Sequence, residues 1–97
     1  MMATRLTVAV RIPDGSKVLP HTHPHDEAVT VMQGIWYLGI GETLDETKLE
    51  PYSAGSFTFI PAGVAHFLAT KEGPVIVQVS GHGIFRTNYV GKQRAPD

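Results

Sequence analysis

The chain has 97 residues, of which 42% are hydrophobic and 18% charged, with a formal net charge of −1. That composition suits one globular domain and excludes both a disordered segment and a protein that captures nucleic acid through a basic field. There is no cysteine, which excludes disulfides, thiolate metal sites and cysteine nucleophiles together and fits a reducing compartment.

Residues 1–97 are expected to form one domain, with a core over about 5–91. Met1-Met2-Ala3-Thr4-Arg5 is not followed by an apolar signal core, and no apolar run approaches the roughly 18 residues of a membrane span. A cytoplasmic protein without nucleic-acid or membrane partners is the expectation. Leu6–Ile12 alternates with period two and ends at the turn signal Pro13-Asp14-Gly15, which predicts a strand. Ala28–Met32 is β-branched and apolar, and Gly34 stops it. Ile35–Ile40 holds Trp36, Tyr37 and Leu38 and is followed by Gly41. Leu44–Leu49 predicts either a single helical turn capped by Asp45 or Thr43, or a surface loop. Ser56–Ile60 alternates before Pro61-Ala62-Gly63, and Val75–Val79 follows Pro74. Ile84–Val90 is the weakest strand pattern, and the polar tail Lys92–Asp97 is expected to fray. Roughly seven or eight short strands punctuated by turns, with no helical crossovers, predict an all-β sandwich or barrel.

The chemistry-bearing stretch is His21-Thr22-His23-Pro24-His25-Asp26-Glu27. Histidines two residues apart diverge on a helix but share one face of a strand, close enough to grip one ion. Pro20 and Pro24 favour extended backbone before them. Glu27 has the same parity but sits beyond Pro24 and Asp26, where any bend breaks the count and leaves it to turn back from the next strand as an oxygen ligand. Two imidazoles and a carboxylate are the set that non-haem iron uses, and manganese, nickel, cobalt, copper and zinc accept similar sets. A solvated loop between prolines is the alternative for this stretch taken alone.

Two spaced patterns widen the context. Gly15 precedes His21-x-His23 by five residues, with Glu27 three residues on and Gly34 six beyond it. Gly55 precedes Pro61-x-Gly63 by five residues, with His66 two residues on. These patterns resemble the two cupin motifs, G(X)5HXH(X)3–4E(X)6G and G(X)5PXG(X)2H(X)3N. Every defining position is filled except the last, where Thr70 stands in place of Asn. The stretch from Trp36 to Gly41, with Val77-Gln78-Val79 and Asn88-Tyr89-Val90, is also similar to a group of small single-domain bacterial cupins. The resemblance implies a double-stranded β-helix, or jelly-roll barrel, around one divalent transition metal (Fe, Mn, Ni, Co, Cu or Zn). His21, His23, Glu27 and His66 are the implied ligands. Without it His66, in an apolar run, reads as a core histidine.

Other polar residues are expected at the margins. His25 is expected at the turn or beside a ligand, Asp26 at the surface, and His82 in a loop or at the barrel mouth. In the cupin pattern Trp36 faces inward and, with Leu38 and Ile40, walls the cavity; Phe57 and Phe59 are also expected to point inward. Gln78 either lies on an outward face or offers a hydrogen bond to a pocket ligand. The function implied is a metal-dependent enzyme on a small organic molecule, of dioxygenase or isomerase type. The alternative is a non-catalytic binding or sensing module. A homodimer is expected in either case, because so short a barrel leaves sheet edges and apolar surface to cover.

Overall fold

Apolar residues at every second position have to share one face of a sheet, and two such faces bury each other. The computed structural model, which describes residues 5–82 and 86–90, is built that way. Its strands are β1 (Arg5–Ile12), β2 (Lys17–Thr22), β3 (Glu27–Gln33), β4 (Ile35–Ile40), β5 (Glu50–Ser53), β6 (Phe57–Ile60), β7 (His66–Ala69), β8 (Val75–His82) and β9 (Asn88–Tyr89). One antiparallel sheet has the order β1-β8-β3-β6, and the other β5-β4-β7-β2-β9. The core between them is Val29, Val31, Trp36, Leu38, Ile60, Leu68, Val75 and Val77. In the first sheet Val10 pairs with Val77, which pairs with Val31, and Val8 pairs with Val79, which pairs with Val29. The inward parity is therefore set by valines across three strands.

That parity corrects part of the sequence reading. In β6 it is Thr58 and Ile60 that face Val29 and Glu27, so the intervening aromatics turn outward. Phe57 is 63% exposed and Phe59 55%. Phe59 lines instead a cleft between the edge strands β5 and β6, together with Lys48 and Tyr52. Ile40, at the end of β4, opens onto the same cleft and is exposed. Gln78 sits between Val77 and Val79, both on the inner face, so its parity is outward and the pocket-ligand alternative falls away.

The helical turn is a 3-10 turn, Glu46–Lys48, in which Asp45 caps the Thr47 N–H. The extended backbone expected around His21 is β2, while sequence reasoning missed β5, which carries Pro51, and β7, whose four residues are all buried and show no alternation. Of the expected strand Ile84–Val90, Asn88–Tyr89 is strand, while residues 83–85 and the tail Lys92–Asp97 lie outside the described residues.

Strand β2 carries a bulge. Lys17 and Val18 pair with Ala69 and Leu68, but His21 pairs with His66, so β2 spends one extra residue across Leu19-Pro20. Proline suits the position, having no N–H to give to the ladder. Val18 faces the interior. Three residues on, a regular strand would point His21 outward; the bulge turns it inward.

Thr70, in the place of the motif's Asn, closes the end of β7 onto the β1–β2 turn. Its hydroxyl donates to the Pro13 carbonyl at 2.6 Å and accepts from the Ser16 N–H at 2.9 Å. Its backbone adds two bonds, from the Gly15 N–H and to the Ser16 carbonyl. Thr70→Val keeps the shape and strands both hydroxyl partners. The expected cost is about 2 kcal/mol, read as a lower melting temperature, with Thr70→Ser close to wild type. Gly39 allows a second close fit, because a Cβ there would lie 2.2 Å from the ring of fully buried Phe67. Gly39→Ala should cost about 1–3 kcal/mol by overpacking. An unchanged urea midpoint would contradict that.

Candidate metal centre

The bulged end of β2 brings His21 beside His66, the first residue of β7, with ring centroids 4.2 Å apart. His23 follows just past β2, with its ring 4.9 Å from His21 and 5.2 Å from His66. Ring nitrogens of the three lie within 4.8 Å of one another. Glu27 opens β3 and turns back toward them, placing Oε2 3.4 Å from His23 Nε2 and Oε1 3.8 Å from His66 Nε2.

Backbone carbonyls set the orientation of all three rings. Nδ1–H of His21 donates to the Leu19 carbonyl at 2.7 Å, that of His23 to Arg86 at 2.6 Å, and that of His66 to Val64 at 3.0 Å. A carbonyl only accepts, so each Nδ1 carries the proton and each Nε2 keeps its lone pair free to ligate. Fixing the tautomer through the other ring nitrogen is how proteins prepare imidazole for a metal. Two further bonds tie the histidine stretch to the Pro61–Gly63 turn. The Gly63 N–H donates to the His23 carbonyl at 3.0 Å, and the Ala62 N–H to Asp26 Oδ1 at 2.8 Å. The two motifs, some forty residues apart in sequence, are thereby joined.

Burial shifts the charges in the direction a metal needs for the imidazoles. His66 is 1% exposed, and burial, assisted by the neighbouring His21 and His23 against the pull of the Val64 hydrogen bond, lowers its pKa to about 4. Burial also lowers His21, with the Leu19 hydrogen bond opposing and His23 assisting. Burial raises Glu27, while His23 and His25 pull it back. At neutral pH the imidazoles of His21 and His66 are uncharged and available as donors.

The cluster forms one wall of a cavity of about 190 Å3 whose other walls are apolar, including Val10, Val29, Trp36, Leu68 and Val77. Trp36 therefore lies where the pattern puts it. His25, expected at the exposed turn or beside a ligand, is buried, and it stacks on His23 with centroids 5.6 Å apart and planes 4° from parallel rather than lining the cavity. Asp26 is exposed, as is His82 at the end of β8. Val10, Ile12, Val18 and Leu68 were missed as lining residues, since apolar strand positions carry no signal that separates cavity wall from core.

No family model and no curated protein sequence matches the chain. Solved structures do. The polyketide cyclase RemF from Streptomyces resistomycificus superposes with a TM-score of 0.77 at 19% identity, over 92% of this chain and 62% of that one. A cupin 2 domain-containing protein from Halorhodospira halophila gives 0.72 at 15%, over 87% and 56%. An uncharacterized conserved protein with a double-stranded β-helix domain from Klebsiella pneumoniae gives 0.72 at 22%, over 94% and 80%. The chain thus spans less than two thirds of the first two. These likenesses show the fold, a small double-stranded β-helix of the cupin kind.

Proposed function

We propose that this cupin-fold domain holds one divalent transition-metal ion on His21, His23, Glu27 and His66 and uses it to transform a small organic molecule seated in the apolar cavity. The observation that carries this reading is the convergence of three imidazoles, each with its proton held on Nδ1 by a hydrogen bond to a backbone carbonyl. Glu27 adds a carboxylate and lowers the net charge of a divalent site. When bound, the ion supplies Lewis-acid polarisation of a substrate oxygen or, for a redox-active metal, chemistry with dioxygen. The chain's own residues hold the ion, keep the His21 and His66 imidazoles neutral and surround the substrate with apolar side chains that exclude water. That RemF, of similar fold, is a polyketide cyclase supports a catalytic use of such a cavity.

A second reading is favoured by one observation. Beyond the four proposed ligands, no titratable side chain lines the cavity among the described residues, so no separate acid or base is at hand. A binding or sensing module needs none. In either case residues 1–97 act as one domain, and β1, an edge strand, is the element through which two copies would pair. No helix among the described residues is long and apolar enough to cross a membrane.

Elemental analysis of tag-free protein, as purified and after anaerobic reconstitution, tests the centre. About one iron, manganese or nickel per chain supports the enzyme, whose turnover should then disappear on chelation. Zinc with a raised melting temperature and no turnover on any candidate substrate supports the sensing module. No metal in either preparation rejects the centre.

A further inference from the structure

A strand at the end of a sheet offers its outer row of N–H and C=O groups to any other strand, and folded chains guard such edges with charge, proline or shortness. The two sheets end in β1, β6, β5 and β9. Of these, β1 carries Arg11, β5 carries Glu50 and Pro51, and β9 has only two residues. Strand β6, Phe57-Thr58-Phe59-Ile60, has neither a charge nor a proline. The cleft between it and β5 measures about 340 Å3, and among the described residues no strand pairs with its free side. Its two phenylalanines are more than half exposed, as are Met32, two residues beyond the Thr30 that pairs with Phe57, and Ile40 in the cleft.

We propose that a second copy of this chain covers the edge, β6 against β6 and antiparallel, about a two-fold axis at Thr58. Three observations select that occupant. The strand is self-complementary: turned about Thr58, Phe57 of one copy stands opposite Phe59 of the other, which makes two aromatic cross-strand pairs. The charges beside the edge balance. Lys48 and Glu50 line the cleft, and neither makes an ion pair among the described residues. A two-fold contact presents the same patch from both sides, so one cation and one anion suit a copy of this chain better than an acidic or a basic partner. The area is also adequate. The exposed parts of Phe57, Phe59, Met32 and Ile40 come to roughly 400 Å2 per copy. Two copies bury about twice that before backbone and polar rim are added, which approaches the roughly 1,200 Å2 of the smaller specific interfaces. The contact joins two four-stranded sheets into one. It lies at the opposite end of the sheet from β1, stands whether or not copies also meet there, and does not rest on the metal centre.

The chain has no cysteine, so a single introduced thiol reports on its own position. A residue on a two-fold axis faces its own counterpart, and opposed residues of an antiparallel pair lie within disulfide reach. Full-length Thr58→Cys treated with oxidised glutathione should form a covalent dimer, whereas Glu42→Cys, at an exposed position away from β6, should not. In sedimentation velocity the wild type should associate as its concentration rises. Phe59→Lys sets a cation opposite Phe57 of the other copy and should raise the dissociation constant of this contact about tenfold or more. Phe59 is exposed in the single chain, so that variant should keep the sheets, which far-UV circular dichroism checks. The inference is overturned if the wild type stays monomeric, if Phe59→Lys associates as the wild type does, or if Thr58→Cys links no better than Glu42→Cys. A foreign polypeptide held by a monomer at this edge would overturn it equally.

Discussion

Replacing His66 with alanine is expected to weaken binding of a divalent transition ion by at least 100-fold. Loss of a residue that merely orients a ligand costs about 10–100-fold in metal affinity, and His66 is placed as a ligand itself. It is 1% exposed, its Nδ1–H is held by the Val64 carbonyl, and its Nε2 lies 3.8 Å from the Glu27 carboxylate. Among the described residues no other side chain takes its place, because His25 is stacked against His23 outside the cavity. Competition with a chromophoric chelator gives the affinity, and far-UV circular dichroism checks that the sheets persist. A His66→Ala protein that folds and binds zinc as the wild type does would remove His66 from the centre.

Acid should destabilise the metal-free protein by roughly 3 kcal/mol between pH 6.5 and 4. His66 has a pKa of about 4 in the fold against 6.5 when unfolded. Above pH 6.5 neither state holds the proton, so the full stability is present. Between 6.5 and 4 the unfolded chain takes up a proton that the fold refuses, and stability falls. Below 4 both are protonated and this loss levels off. His21 is shifted the same way by burial and adds to the slope. Glu27 acts in the opposite sense. Its raised pKa means that its neutral form favours the fold, a contribution fully present below 4.5 and lost as pH rises through the raised value. It offsets part of the loss at the acid end. Urea denaturation of chelator-treated protein across this range measures the slope, which His66→Gln should reduce by about one proton. A flat profile in the wild type would contradict the buried, neutral state assigned to His66. Bound metal should steepen the dependence, since the ligating imidazoles must be unprotonated.

The barrel was legible in the sequence because its longest strands alternate and are bounded by glycine and proline. Leu6–Ile12 and Val75–Val79 pair with one another, and Val75 and Val77 of the second belong to the core. The ligand candidates were legible as residue types at fixed spacing, although Glu27 was placed by resemblance and not by strand parity. What could not be seen was direction. Ser56–Ile60 alternates in either phase, and pairing of Thr58 with Val29 and Ile60 with Glu27 chose the phase that turns the phenylalanines outward. Strand β5 was hidden by its proline, which marks an interruption unless an edge or a bulge accommodates it. The carbonyls that fix the imidazole tautomers come from Leu19, Val64 and Arg86. Any residue supplies a carbonyl, so no residue type announces them.

The extra residue across Leu19-Pro20 makes the centre a matter of counting. The five positions between Gly15 and His21 include that residue, and the motif's spacing is the count that brings the histidine round to the interior. Delete one of them and every histidine remains in the chain, but β2 pairs in phase and His21 faces solvent. Loss of a single codon here should thus abolish the proposed metal centre without touching a ligand, much as a frame decides what a message says.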